Sequence, residues 1–194
     1  MKYLDLKKNV EGNIFGMLDV VKLFPEEQPE AIRTQLYRLV KRGHLLSVKR
    51  GLYAFDKNKV DELELAGKLY SPSYISLETA LNYYGIIPDI PIAVRSVTPI
   101  TTKKFQTTMG DYYYSKINSK LFFGYFQAPY TIAHKEKALL DYFYIRKIRK
   151  VTQDTRLELD NWNWKRYHEY ALIFPKWVQK IKLTGRNLIK YTKI

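Results

Sequence analysis

The clearest structural pattern in the first third of the chain is PEAIRTQLYRLVKRG, residues 29–43. Proline suits the first turn of a helix, where its missing N–H would have no partner, and Gly43 suits the position after the last turn. At about 100° per residue, one face of this helix is apolar and consists of Ile32, Leu36, Leu39 and Val40. The spacing therefore predicts a helix from Pro29 to about Arg42 that packs through this stripe.

The opposite face of the predicted helix is polar and basic. It carries Glu30, Thr34, Tyr37, Arg38 and Lys41, with Arg33 and Arg42 on its flanks. The recognition helix of a helix-turn-helix needs this division, because one stripe packs on the domain while the other presents long polar side chains to the major groove. We therefore predict that DNA is contacted by Arg33, Thr34, Tyr37, Arg38, Lys41 and Arg42.

The segments on either side complete a winged helix-turn-helix. Residues 17–24 repeat apolar side chains at helical spacing before Pro25, which predicts an earlier helix. Residues 44–48 and 52–55 resemble two strands around a basic turn that contains Lys49, Arg50 and Gly51. Glycine supplies the positive φ of such a turn, and the two cations stand where a wing meets phosphate or a minor groove. The alternative is a small helical domain with a solvated basic helix.

The net charge favours a polyanionic partner. The 194 residues include 33 Lys and Arg against 19 Asp and Glu, a formal net charge of +14. This excess points first to nucleic acid and second to an anionic membrane surface. Residues 145–194 alone hold 13 basic and 4 acidic side chains. A basic amphipathic helix predicted from Pro175 places a second basic surface at Lys176, Lys182, Arg186 and Lys190. Contact with DNA, contact with RNA and simple solvation of a packed tail all remain open for it.

The middle of the chain mixes helical and strand patterns. Helical spacing recurs at 60–69, 77–84 and 134–146, and five short strand-like runs lie between 93 and 132. Helices on both sides of a group of strands predict an α+β unit with an antiparallel or mixed sheet. The fold class predicted for the whole chain is α+β. Its parts are a winged helix-turn-helix domain at 1–58, a linking helix at 59–70 and an α+β domain at 71–194, in which a basic helical tail spans 151–194.

Motifs for chemistry are missing from the sequence. There is no Cys, which excludes disulfides, thiolate catalysis and Cys-ligated zinc. The His residues are too scattered for a local metal motif, and neither phosphate-binding glycine loops nor Gly-x-Ser-x-Gly occur. The trio of Glu136, Lys137 and Asp141 fits a catalytic site, but a first-turn acid and an i,i+4 ion pair are more common at this spacing. We predict no catalytic residue, no metal and no cofactor, with an unrecognised enzyme site in the α+β domain as an alternative.

Membrane and export signals are also missing. The longest apolar runs fall far short of the roughly 20 residues of a membrane span. The N-terminal residues carry charges where a signal peptide needs an apolar run. We therefore predict a cytoplasmic protein with no membrane partner.

A family resemblance emerges in the middle segment. YSPSYISLETALNYYGIIP at 70–88 closely resembles the signature of the AbiEi family, the antitoxins of type IV toxin–antitoxin systems, which act in abortive infection. Further matches in register are Ser96-Val97-Thr98, Lys104-Phe105, Gly110 before Tyr114, LFFGY at 121–125, Ile132-Ala133 and EKALLD at 136–141. One departure is His134-Lys135, where Ser-Pro is expected; it alters a helix cap.

The resemblance implies a biological role that composition and spacing do not. Such proteins are DNA-binding repressors of their own operon, so the implied partner is double-stranded DNA at an operator upstream of the gene. They oppose a nucleotidyltransferase-like toxin without forming a stable complex with it. The alternatives are an orphan winged-helix transcriptional regulator and an RNA-binding or interaction module that neutralises a toxin.

Overall fold

The computed structural model of the chain describes residues 1–127, 130–151 and 157–183. Over these residues the protein is a mixed α+β structure with eight α-helices and two β-sheets. Two compact units can be separated: residues 1–69 with 106–110, and residues 70–105 with those from 111 onward. No helix in the described part of the chain is long and apolar enough to cross a membrane.

The first unit alternates helices with a small sheet. Its elements are α1 (Tyr3–Asn9), β1 (Ile14–Gly16), α2 (Met17–Leu23), α3 (Pro29–Lys41), β2 (Leu46–Lys49), β3 (Leu52–Ala54) and α4 (Glu62–Leu69). Strand β3 lies between β1 and β2 and is antiparallel to both. The sequence did not predict α1 or β1, because α1 buries only one side chain, Leu6, and β1 spans only three residues.

The core of this unit joins the helices to one face of the sheet. Its buried side chains are Leu6, Val10, Phe15, Val20, Ile32, Leu36, Leu45 and Tyr53. Helix α3 contributes Ile32 and Leu36, both fully buried, while Leu39 and Val40 are partly buried against the same cluster. The apolar stripe predicted for this helix is therefore the face that it packs against the core.

The remaining elements form the second sheet and its helices. They are β4 (Tyr74–Ile75), α5 (Leu77–Tyr83), β5 (Val94–Thr98), β6 (Lys103–Thr107), β7 (Gly110–Lys116), β8 (Tyr125–Phe126), β9 (Ile132–Ala133), α6 (Lys135–Arg146), α7 (Trp164–Ala171) and α8 (Lys176–Gln179). The strand order is β6-β7-β5-β4-β9-β8. The sheet is mixed, because β4–β9 and β5–β7 are parallel pairs while β4–β5 and β8–β9 are antiparallel. Helix α5 packs against both α6 and β5.

Two local predictions in this region need correction. A hairpin turn was predicted at Gly110-Asp111, but Gly110 is the first residue of β7, with φ +122°, and the turn lies before it. The Thr107 hydroxyl stabilises that turn, since it accepts from the Met109 N–H at 3.0 Å. Ser76 does precede α5 as predicted, but its hydroxyl makes no cap hydrogen bond and instead donates to Asp141.

The C-terminal helix is shorter than predicted. It begins after Pro175, as expected, but α8 ends at Gln179, and residues 181–183 are not helical. Val178 and Ile181 are buried, so the apolar side of the predicted amphipathic segment does pack on the protein. The prediction of a single basic helix that continues from Pro175 is therefore wrong over the residues up to 183.

Candidate nucleic-acid interface

Helix α3 presents a continuous polar face to solvent. It begins at Pro29 and is followed by Gly43 at φ +74°, a conformation that L side chains rarely adopt. The exposed side chains on this face are Arg33, Thr34, Tyr37, Arg38, Lys41 and, just after the helix, Arg42. Every α3 residue that the sequence assigned to DNA contact therefore lies on the surface.

One side-chain pair and one side chain–backbone hydrogen bond organise the exposed face. The ammonium of Lys41 lies 5.1 Å from the centre of the Tyr37 ring, one helical turn away, and this tyrosine is 57% exposed. The Thr34 hydroxyl donates to the Glu30 carbonyl at 2.9 Å, so its hydrogen is already used within the helix. Thr34 can therefore offer its oxygen as an acceptor and its methyl as an apolar contact.

Arg33 marks the flank of α3 that faces the sheet. Burial raises the pKa of Tyr53 on β3, and the positive charge of Arg33 acts in the opposite direction. Arg33 itself is exposed, whereas Tyr53 is 9% exposed.

The β2–β3 hairpin carries one exposed cation, Arg50, at its turn. Lys49 pairs with Leu52 across the strands, which leaves a two-residue turn of Arg50 and Gly51 with Gly51 at φ +80°. Arg50 is exposed, whereas Lys49 is half-buried and its Nζ lies 3.4 Å from the carbonyl oxygen of Leu69 at the end of α4. The two cations predicted to act together thus have different surroundings.

The second basic surface is only partly within the described residues. Lys176 and Lys182 are exposed there. Arg186 and Lys190 lie outside the described residues, as do most of the positions from which the long amphipathic helix was predicted. The structure therefore places two of the four predicted cations at the surface and says nothing of the other two.

Two of the three charged residues that fitted a catalytic trio, Lys137 and Asp141, pair with each other in the interior, whereas Glu136 contacts Asn163 and Arg166. Lys137 and Asp141 are both fully buried and form an i,i+4 ion pair, and Glu136 is also buried. Asp141 also accepts from the Tyr74 and Ser76 hydroxyls, each at 2.9 Å. The Lys137 ammonium donates to the Tyr74 oxygen at 2.7 Å and lies 5.0 Å from the ring centres of Phe123 and Phe174.

Burial shifts the pKa of Lys137, Asp141 and Tyr74. It lowers the pKa of Lys137 and raises that of Asp141, and their mutual attraction works against both shifts. Burial raises the pKa of Tyr74 well above its usual value, so its hydroxyl stays protonated and can donate to Asp141. Lys137, Asp141, Tyr74 and Ser76 hydrogen-bond to one another, as a buried charge pair requires to be tolerated.

Sequence reasoning missed Tyr74 and Ser76 as partners of this pair. They precede Asp141 by 67 and 65 residues, so no spacing rule connects them. Strand β4 pairs with β9, which leads directly into α6, and this pairing brings them to the helix. Among residues 1–127, 130–151 and 157–183, no group of three or more His, Asp or Glu side chains is arranged to hold a metal ion.

No protein-family model matches the chain, and no curated protein matches it either. The resemblance to the AbiEi family therefore stays a prediction from the residues that carry it.

Proposed function

We propose that this chain is a DNA-binding protein whose first 58 residues act as a winged helix-turn-helix, and that it is an antitoxin that represses its own operon. The observation that carries the DNA-binding proposal is the exposed face of α3. Four cations on or beside that helix, Arg33, Arg38, Lys41 and Arg42, reach solvent from an element whose other face is locked in the core.

The order of elements in the first unit supports this assignment. A helix, a short strand, two further helices and a β-hairpin follow one another, and the hairpin strands close a three-stranded antiparallel sheet with β1. In winged helix-turn-helix proteins the last helix before the hairpin enters the major groove, and the hairpin lies beside the DNA backbone. On this assignment α3 is the recognition helix and β2–β3 is the wing.

The exposed residues divide between base reading and phosphate contact. Tyr37 and Arg38 lie on the exposed face, with Thr34 one turn earlier, and a recognition helix presents such side chains to base edges. Arg38 is the side chain suited to bidentate contact with guanine, which is worth about 1–3 kcal/mol of discrimination. Arg33 and Arg42 flank that face and suit phosphate contacts, which give affinity without sequence preference.

At the wing, Arg50 is better placed than Lys49 to contact DNA. Arg50 projects from the turn and is exposed. Lys49 would have to give up its contact with the Leu69 carbonyl before it could reach a phosphate. We therefore assign the principal wing contact to Arg50.

The antitoxin role rests on the resemblance of residues 70–145 to the AbiEi family. Several residues of that signature are interior, since Tyr74, Ser76, Lys137 and Asp141 form the buried cluster. They accordingly maintain the fold of the second unit, and opposition to the toxin is assigned to the surface that this fold presents. The proposed partners are operator DNA upstream of the gene and, functionally, a nucleotidyltransferase-like toxin.

A cell-based experiment tests both parts of the proposal. A reporter is placed behind the DNA upstream of this gene, and the adjacent nucleotidyltransferase-like gene is induced in a second arm. Wild-type protein should repress the reporter and protect the cells. The Arg38→Ala/Arg42→Ala variant should lose repression, while the matched Lys8→Ala/Lys22→Ala variant, which removes two exposed lysines from α1 and α2, should keep it.

The two parts fail in different ways. If wild-type protein does not repress the reporter, the DNA-binding proposal is wrong. If it represses but gives no protection, or if no nucleotidyltransferase-like gene lies next to this one, the chain is an orphan regulator. Protection by the Arg38→Ala/Arg42→Ala variant would place the antitoxin activity outside the recognition helix.

A further inference from the structure

A cavity of about 560 Å³ opens on the first unit, beside the end of the small sheet that lies away from the hairpin turn. Helix α1, the loop before β1 and the segment that follows β3 line it. Its volume falls within the range of roughly 300–1,000 Å³ that is typical of small-molecule sites. The exposed face of α3 and the turn at Arg50 do not line it.

The walls of this cavity are held together by hydrogen bonds between Asn13 and the segment after β3. The Asn13 side chain donates to the Asp56 carbonyl at 2.8 Å and accepts from the Asp56 N–H at 2.9 Å. The Phe55 N–H also donates to the Asn13 carbonyl at 3.1 Å. These three bonds tie the loop before β1 to the segment after β3, so the cavity exists before any ligand arrives.

Three ammonium groups surround the cavity. They belong to Lys7, Lys57 and Lys59, all of which are exposed and none of which forms an ion pair with a residue in the described part of the chain. The one carboxylate in the lining belongs to Asp56 and accepts from the Asn58 N–H at 2.9 Å. The cavity is therefore positive and suits a phosphate more than any cation.

Aromatic side chains supply an apolar part of the same lining. The rings of Tyr3 and Phe55 line the cavity and meet edge to face, with centroids 6.2 Å apart. The Tyr3 ring is held in place by stacking on His44, at a centroid distance of 5.2 Å. Fixed aromatic rings beside cations are a combination that binds a planar base attached to a phosphate.

We propose that this cavity binds a mononucleotide. The base packs against Tyr3 and Phe55, the phosphate lies among Lys7, Lys57 and Lys59, and the Asp56 carboxylate accepts from a ribose hydroxyl. This site is additional to the proposed DNA surface and does not depend on it. Its place on the same unit would let a nucleotide influence the domain that contacts DNA.

Isothermal titration of the full-length chain, without DNA, tests the proposal directly. The ligands are AMP, GMP, CMP and UMP. Inorganic phosphate, which lacks the base, and adenosine, which lacks the phosphate, serve as partial ligands. At least one nucleotide should bind saturably, and about tenfold more tightly than either partial ligand, because only a nucleotide engages both the aromatic and the charged side chains of the lining. Lys57→Gln/Lys59→Gln should weaken that binding by about tenfold, while the matched Lys8→Gln/Lys22→Gln variant should bind normally.

Several outcomes would overturn the assignment. They are no saturable binding of any nucleotide at about 1 mM, equal binding of inorganic phosphate, or an unaltered affinity in the Lys57→Gln/Lys59→Gln variant. If that variant loses DNA affinity and no nucleotide binds, the lysines belong to the DNA surface instead. Thermal unfolding of each variant checks that the fold is retained, and failure of the DNA-binding proposal alone would leave the titration unchanged.

Discussion

The ammonium group of Lys137 and the carboxylate of Asp141, one turn apart on α6, form an ion pair that solvent does not reach. Tyr74 bridges the two, since its hydroxyl donates to Asp141 at 2.9 Å and its oxygen accepts from Lys137 at 2.7 Å. The pair therefore joins α6 to β4, and through Ser76 to the start of α5. It ties together the three elements that carry most of the AbiEi-like signature.

Breaking this pair on one side should destabilise the protein strongly. Lys137→Met keeps much of the side-chain volume but leaves Asp141 buried without its counter-charge, a change that typically costs about 3–5 kcal/mol. Denaturant unfolding monitored by tryptophan fluorescence measures the loss. Lys165→Met, at an exposed lysine on α7, is the matched control and should stay within about 0.5 kcal/mol of wild type.

Removing both charges together should cost less than the two single changes combined. In the Lys137→Met/Asp141→Leu variant no unpaired charge remains, so the double-mutant cycle should give a coupling energy of at least about 1 kcal/mol. If the losses in the free energy of unfolding are strictly additive, Lys137 and Asp141 contribute independently, and their ion pair does not link α6 to β4.

The protonation of His134 should make stability depend on pH. This residue occupies the N-cap position of α6, and its Nδ1 lies 2.7 Å from the Tyr170 hydroxyl. Burial, and to a lesser extent the positive charge of Arg166, lowers the pKa of His134. Its neutral form is favoured in the folded state, so its contribution is present above the unfolded pKa of about 6.5 and is lost as the pH falls through the folded value. We expect the stability advantage of wild type over His134→Gln to shrink between about pH 7 and pH 5.

Chemical unfolding of the two proteins across that range checks the sign. A difference that is constant with pH would show that His134 does not change its protonation on unfolding. An advantage that grows as the pH falls would mean that the folded state prefers the protonated ring, contrary to the effect of burial.

Features of this fold that depend on residues close together in the chain can be predicted from the sequence, whereas features that depend on distant residues cannot. The limits of α3 and the division of its faces follow from Pro29, Gly43 and a 3.6-residue period, all of which are local. The packing of Lys137 with Asp141 follows from an i,i+4 spacing. Tyr74 reaches the same cluster only through the pairing of β4 with β9, and no local pattern encodes that pairing.

Local sequence patterns do not predict the different surroundings of Lys49 and Arg50 in the β2–β3 hairpin. Lys49 appears in the sequence as part of the turn, but an irregular register between Ser47 and Lys49 extends β2 by one residue. The Lys49 ammonium then lies within reach of the Leu69 carbonyl at the end of α4, and Arg50 is the one cation in the two-residue turn. Strand registers of this kind depend on tertiary packing, so a one-residue shift is not visible in the composition of the turn.

Replacement of Arg38 should change sequence preference more than affinity for DNA in general. If this arginine reads a guanine, Arg38→Ala costs about 1–3 kcal/mol at the preferred site and relaxes the preference at one base position. Selection of binding sequences from a randomised duplex pool, before and after the substitution, measures both effects. Equal weakening toward all sequences would make Arg38 a phosphate contact and move base reading to Tyr37 or Thr34.

The most direct test of the DNA-binding account is the salt dependence of affinity for the duplex upstream of the gene. Fluorescence anisotropy between about 50 and 200 mM salt gives log affinity against log salt, with a slope of about −0.9 for each phosphate contact. We predict that Arg50→Ala flattens this slope by about 0.9, and that Lys49→Ala changes it less. An unchanged slope in the Arg50→Ala variant, together with equal affinity for the upstream duplex and a scrambled one, would contradict the account.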